Sequence, residues 1–138
     1  MTPEKNKEVV VRFNKEGIEG KDITVFEELL ADNFVNHSAP GGLPSGRDGM
    51  IAFFTTILWK SLADVTVEIH DQVAEDDKVV TRKTIRGIHV GEFFGHPPSE
   101  KKLELRIIDI VKLLNGQYIE HWRSWDMHDI VKQITAEV

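Results

Sequence analysis

Hydrophobic residues recur at helical spacing through the first half of the chain. Val9 and Phe13 fall on one side of a helix over the segment 5–16. Asp22 is placed to cap a second, short helix, because its carboxylate can accept hydrogen bonds from free N–H groups of a first turn. The apolar run 50–59 predicts a third helix. The first half of the chain is therefore expected to be mainly helical.

The second half changes to the two-residue period of strands. The segments 65–70, 79–89, 102–114 and 117–125 alternate in polarity or are rich in β-branched residues. A closing helix is expected over 127–134. Helices followed by a long antiparallel sheet predict an α+β fold, with the helices packed on one side of a curved sheet.

Composition narrows the class of protein. The chain has 138 residues, 41% hydrophobic and 29% charged, which predicts one globular domain over residues 1–138. The formal net charge of −6 argues against nucleic acid or an anionic membrane as a partner. The absence of cysteine excludes disulfides, thiolate nucleophiles and Cys-ligated metals. No apolar run is long enough to span a bilayer and no signal peptide is visible, so we expect a cytoplasmic protein.

One carboxylate interrupts an apolar strand face. The odd positions from Leu103 to Leu113 are all apolar except Asp109. A lone buried carboxylate costs several kcal/mol, so it must be paired, hydrated or protonated. Either Asp109 belongs to a structural ion pair, or it lies at the floor of a cavity with a perturbed pKa. We favour the cavity because the residue is central in its strand.

The residue that lies opposite Asp109 in the next strand depends on the turn at Asn115-Gly116, a strong hairpin signal. A two-residue loop would place Asp109 opposite Trp122. A three-residue loop, with Gly116 left-handed, would place it opposite His121. The second register pairs a carboxylate with an imidazole and apolar residues with each other, so it is the one we predict.

Asp109 and His121 would then form a dyad with Arg123 on the diagonal. A carboxylate that orients a histidine raises its basicity and suits acid–base chemistry near neutral pH. A buried histidine with a structural partner is the plain alternative. A metal held by His37, Asp109 and His121 is disfavoured because no ligand spacing supports it. Asp126 is expected to cap the closing helix rather than to act in chemistry.

Several segments carry a resemblance to a known family. They are Phe34-Val-Asn-His37, Gly41 to Arg47, Gly87 to Pro98, Ile108-Asp-Ile110, and Asn115 to Trp122 with Asp126. In their order and over nearly the whole chain, these motifs resemble the SnoaL-like polyketide cyclases, also called ester cyclases.

The resemblance implies a cone-shaped α+β barrel, as in scytalone dehydratase, ketosteroid isomerase and nuclear transport factor. It also implies a deep apolar pocket on the concave side of the sheet and a homodimer or higher homo-oligomer. Characterised cyclases close a polyketide ring by an aldol condensation, using an acid–base carboxylate without metal or cofactor. Their catalytic Asp aligns with Arg123, and a pocket His aligns with Asp109, so the carboxylate has changed strands in this chain.

The resulting hypothesis is cofactor-free acid–base chemistry on a small apolar carbonyl compound. Asp109 would be the base, His121 its orienting partner, and Arg123 the group that holds an enolate or a carboxylate. The expected substrate contacts are Asn36, His37, Phe93, Phe94, Ile107 and Trp125, with the two phenylalanines closing the pocket mouth.

Two alternatives remain. An epoxide hydrolase of the same architecture would use an Asp–Arg–Asp set, for which Asp109, Arg123 and Asp126 are the available residues. A non-catalytic module would only bind a small apolar ligand or dimerise, with Asp109 neutralised by Arg123 as a static ion pair.

Overall fold

A computed structural model describes residues 1–135 of the chain. Two of its helices continue as wider π-helical segments, and the capping residue of α2 is Asp22, as predicted. The helical elements are α1 (Pro3–Arg12), a first π-helical segment (Phe13–Glu19), α2 (Ile23–Leu29), α3 (Arg47–Ala52), a second π-helical segment (Phe53–Leu58), α4 (Trp59–Ser61) and α5 (Met127–Thr135).

Five strands form one curved sheet that does not close on itself, in the order β1-β5-β4-β3-β2. The strands are β1 (Leu30–Asn36), β2 (Leu62–Glu75), β3 (Lys78–His89), β4 (Lys102–Leu114) and β5 (Gln117–Trp125). The expected α+β architecture is confirmed. The sheet is mixed rather than antiparallel throughout, because β1 pairs parallel with β5. This strand was missed because it follows α2 without a turn signal and carries two polar residues, Asp32 and Asn33, at its centre.

The hydrophobic core lies between the helices and one face of the sheet. Rings from both sides meet there: Phe26 stacks on Phe54 at 4.9 Å, and Phe13 stacks on Tyr118 at 4.4 Å, between ring centroids. From β4 this face receives the side chains of the odd positions, including the buried Leu105. The inner face of the sheet is thus apolar except where specific polar residues interrupt it.

The β4–β5 hairpin differs from the predicted register. Asn115 and Gly116 both have positive φ, 51° and 79°, which gives a two-residue turn of the mirror-image type rather than the expected three-residue loop. The ladder then shifts by one residue after the Leu113–Tyr118 pair. This β-bulge places Asp109 directly opposite Arg123, neither opposite His121 nor opposite Trp122.

None of the helices in the described part of the chain is both long and apolar enough to cross a bilayer.

Candidate active site

A small cavity lies between the inner face of the sheet and the two π-helical segments. Most of its lining is apolar and includes Ile107 and Trp125. The polar groups that reach it are Asn36, Lys83, Asp109, Tyr118, His121 and Arg123. Its volume is about 40 Å³. That is room for a few water molecules, whereas ligand pockets usually measure roughly 300–1,000 Å³.

Asp109 lies on the cavity face of β4, as predicted, and its charge is matched by a lysine. Lys83 on β3 is a diagonal neighbour of Asp109, and its Nζ lies 2.9 Å from Oδ2 of the carboxylate. Both residues are buried. Nζ also donates to Oδ1 of Asn14 in the first π-helical segment at 2.6 Å. The result is a buried, hydrogen-bonded ion pair that links the sheet to the N-terminal helical layer.

The ion pair determines the protonation state of Asp109. Burial alone would raise the pKa of this carboxyl, but the charge of the Lys83 ammonium outweighs burial and holds the pKa at about 2. Asp109 is therefore a carboxylate at neutral pH and a weak base. Its Oδ1 is buried and receives no hydrogen bond from residues 1–135.

His121 on β5 is the diagonal neighbour of Asp109 on the other side. Its Nε2 lies 3.7 Å from Oδ2 of Asp109. Burial lowers the pKa of His121 below its ordinary value and outweighs the raising effect of the carboxylate. The imidazole is therefore neutral at pH 7, beside an ionised aspartate.

Asn36 fixes which nitrogen of His121 carries the proton. Oδ1 of Asn36 accepts a hydrogen bond from the backbone N–H of Ser38 at 3.0 Å, which identifies this atom as the amide oxygen. The same oxygen lies 2.9 Å from Nδ1 of His121, where it can only accept a hydrogen bond. Nδ1 must therefore be the protonated nitrogen. The lone pair of Nε2 then points toward the Asp109 side of the cavity, where an added proton would be stabilised by the carboxylate.

Arg123 faces Asp109 in the ladder but forms no ion pair with any carboxylate of residues 1–135. Its guanidinium carbon lies 3.9 Å from the ring centroid of Trp125, and Nη2 donates to the carbonyl of Ser38 at 3.3 Å. Its Nε is buried without a hydrogen-bond partner in the described part of the chain. Burial lowers the pKa of Arg123 from its usual value, although an arginine stays charged.

Three predicted substrate contacts lie outside the cavity lining. His37 is bonded to Glu120 at 2.9 Å and stacks on Trp122, away from the cavity. Phe93 and Phe94 do not line the cavity, but both rings contact Trp125, at 6.3 and 5.9 Å between centroids.

Of the two phenylalanines, Phe93 is buried and Phe94 is exposed. The loop 91–99 therefore supports one wall of the cavity from behind. Asn36, Ile107 and Trp125 line the cavity, and their role as substrate contacts stays a prediction.

Sequence reasoning missed Lys83 and Tyr118. Lys83 lies on the inner face of β3, but that face also carries Thr81, Gly87 and His89, so no apolar alternation marked it in the sequence. Tyr118 becomes an inner-face residue together with His121 because of the bulge between them, which no local signal announces.

Within residues 1–135, no set of three or more His, Asp or Glu side chains is arranged to hold a metal ion. The set considered from the sequence is not assembled, because His37 points away from the cavity. Asp126 accepts a hydrogen bond from the backbone N–H of Asp129 at 3.0 Å, which is the capping role predicted for it.

The family model of the SnoaL-like polyketide cyclases matches residues 8–134, and the chain belongs to that family, as the sequence motifs indicated. No curated protein matches the chain significantly.

Solved structures of similar proteins share the fold over almost the full chain. TsrD from Streptomyces laurentii is 23% identical, with a TM-score of 0.88 and 99% of each chain covered. A candidate SnoaL-like polyketide cyclase from Jannaschia sp. CCS1 is 26% identical, with a TM-score of 0.84 and coverage of 100% of this chain and 98% of that one. A Mycobacterium tuberculosis epoxide hydrolase of the LEH-like type is 14% identical, with a TM-score of 0.74 and coverage of 96% and 90%. At 14–26% identity these likenesses establish the fold and no reaction.

Proposed function

We propose that this protein catalyses cofactor-free proton transfer, of the kind that initiates aldol cyclisation, on a small and largely apolar carbonyl compound. The observation that carries the proposal is the state of His121. It is a buried neutral imidazole with Nδ1–H bonded to Asn36 and a free Nε2 lone pair beside the ionised Asp109. That is the arrangement of a general base.

The division of labour between Asp109 and His121 follows from their environments. The sequence-based hypothesis made Asp109 the base, but the ammonium of Lys83 keeps its pKa at about 2. We therefore assign proton acceptance to Nε2 of His121. Asp109 stabilises the imidazolium that forms, and Asn36 holds the ring in the required tautomer.

The charges around the cavity favour an anionic intermediate. Lys83 and Arg123 are cations, Asp109 is an anion and His121 is neutral, so the cavity carries an excess of positive charge at pH 7. Arg123 has an unpaired Nε–H for an enolate oxygen or a substrate carboxylate. In this scheme Ile107 and Trp125 contact the apolar part of the substrate.

The small volume requires the cavity to widen when substrate binds. Trp125 lines the cavity and is contacted by the guanidinium of Arg123 and by the rings of Phe93 and Phe94. The exposed Phe94 makes this the wall that can move most readily. Neither Phe93 nor Phe94 lines the cavity, so in this scheme the pair acts through Trp125 and its predicted place at the pocket mouth stays a prediction.

The experiment is deuterium exchange at the carbon next to a carbonyl, followed by NMR in D2O. The substrates are β-keto esters of increasing size, beginning with ethyl acetoacetate. Wild-type protein should accelerate exchange above the buffer rate, and His121→Gln should abolish the acceleration. His128→Gln, at an exposed position, is the matched control and should behave as wild type. Exchange at the buffer rate with every wild-type sample would overturn the proposal.

The two alternatives are less well supported. The epoxide hydrolase hypothesis needs Asp126 at the cavity, but this residue is bound to the start of α5. A purely ligand-binding module would bind the same esters without exchanging their protons. A homodimer or higher homo-oligomer stays a prediction, which sedimentation equilibrium would test.

A further inference from the structure

Tyr118 is a buried residue whose hydroxyl the packing does not explain. It is the single tyrosine of the chain, it is 2% exposed, and it lines the cavity. Its ring stacks on Phe13 with 19° between the planes. No residue in the range 1–135 forms a hydrogen bond with the hydroxyl, and its oxygen is not among the fully buried atoms that lack a partner, so it borders open space in the cavity.

A β-bulge in the β4–β5 ladder lets the ring of Tyr118 lie on the inner face of the sheet. Tyr118 pairs with Leu113, and the bulge that follows lets Tyr118 and His121 share the inner face, although their spacing of three residues would separate them in a regular strand. A phenylalanine would supply the same stacking surface without a polar group at the cavity. The hydroxyl therefore has a use that core packing does not provide.

The hydroxyl is a permanent donor. Burial raises the pKa of Tyr118 well above its ordinary value, and the negative charge of Asp109 adds to this effect. The group therefore keeps its proton throughout the neutral range. Tyr118 and His121 line the same cavity, which therefore contains both a proton acceptor and a neutral hydrogen-bond donor.

We propose that the Tyr118 hydroxyl donates a hydrogen bond to the carbonyl oxygen of the substrate and to the enolate oxygen formed from it. This inference rests on the proton transfer proposed above. The C–H bond next to the carbonyl breaks, its proton goes to Nε2 of His121, and its electron pair becomes the C=C bond of the enolate. The carbonyl π electrons move to the oxygen. Tyr118 keeps its own proton throughout, and its hydrogen bond strengthens as the oxygen becomes negative.

The test is Tyr118→Phe, assayed by deuterium exchange on the β-keto ester that wild type exchanges fastest. Because the oxyanion forms only in the transition state, we expect kcat to fall about 10²–10³-fold while KM changes little. The unfolding temperature should stay equal or rise, since the ring and its stacking are kept. A KM effect alone, or full activity, would overturn the inference.

A second measurement separates the possible failures. Because Tyr118 is the only tyrosine, the NMR signal of a ¹³C label at its Cζ reports this one hydroxyl at neutral pH. Bound ester should shift this signal; a signal that saturating ester leaves unchanged contradicts a contact with the hydroxyl. If wild type exchanges, His121→Gln does not and Tyr118→Phe does, only the role of Tyr118 is lost. If wild type fails to exchange, both proposals fall.

Discussion

Two regions of this protein bury a histidine, and the difference between them shows what makes a site. His121 in β5 and His89 at the end of β3 are both fully enclosed, and burial lowers the pKa of each. Nδ1 of His89 accepts the backbone N–H of Ser99 at 3.1 Å and lies 2.9 Å from its hydroxyl. His89 is not part of the cavity lining. It ties the loop 90–101 to the sheet.

His121 differs in its neighbours rather than in its burial. The ionised carboxylate of Asp109 lies 3.7 Å from Nε2 of His121, and the amide oxygen of Asn36 accepts a hydrogen bond from Nδ1. The ring also borders the cavity. A depressed pKa alone therefore does not distinguish a catalytic histidine from a structural one. The distinguishing features are a charge partner that stabilises the protonated form and room for a substrate.

Two matched substitutions distinguish the region around His121 from the region around His89 most clearly. His121→Gln should reduce ester exchange by about 10²–10⁴-fold, the usual share of a positioned proton-transfer group, with a smaller effect on stability. His89→Gln should keep exchange but lower the free energy of unfolding by about 1–3 kcal/mol, because the Ser99 N–H loses its acceptor. Exchange rates and denaturant unfolding of both variants check this; equal loss of exchange in both would remove the distinction.

Asp109→Asn should also reduce exchange, and it should destabilise the fold more than either histidine substitution. It leaves the Lys83 ammonium buried without a counter-charge, which costs about 3–5 kcal/mol. The double variant Asp109→Asn with Lys83→Met removes both charges and should recover most of the stability while exchange stays low. Restored exchange in the double variant would show that Asp109 acts only through the ion pair.

The pH dependence of stability should have two phases. Both histidines have pKa values lowered by folding, so their contribution is full above the unfolded-state value near 6.5 and is lost as pH falls through their folded-state values. Asp109 has its pKa lowered from 3.8 to about 2. Its contribution of about 2 kcal/mol should therefore be lost between roughly pH 4 and pH 2.

Urea unfolding at a series of pH values measures these phases, and each histidine variant should remove part of the first one. If the first phase is unchanged in both variants, the assignment of the lowered pKa values is incorrect.

Asp126→Ala should have the smallest effect. Loss of the bond to the backbone N–H of Asp129 at the start of α5 should cost about 1 kcal/mol of unfolding free energy, with no change in exchange. The matched variant Asp126→Asn should keep most of the stability. A large loss of activity in Asp126→Ala would revive the Asp–Arg–Asp alternative.

The sequence predicted what depends on local periodicity and on motifs. The four long strands, the order of helices before sheet, and the family could all be recognised, and Asp109 was found because one charge interrupts an apolar alternation. Lys83 could not be found in the same way, because the inner face of β3 also carries polar residues and a glycine. β1 was missed because its pairing with β5 is parallel and non-local.

The register of the site could not be predicted from the same signals. The Asn-Gly turn depends only on neighbouring residues. The bulge beyond it, however, lets Tyr118 stack on Phe13 while His121 is also buried on the same face. That arrangement depends on helices far away in the sequence. The sequence could therefore identify residues on the inner face but not which of them meet across strands.

The most direct test of the account is the protonation state of His121 at pH 7, observed by long-range proton–nitrogen NMR of the imidazole rings. His121→Gln assigns the signals by their disappearance. The account predicts a neutral ring with the proton on Nδ1 and an unprotonated Nε2, which becomes protonated only below pH 6.5. A ring with its proton on Nε2, or one protonated at both nitrogens at pH 7, would contradict the assignment of His121 as the base.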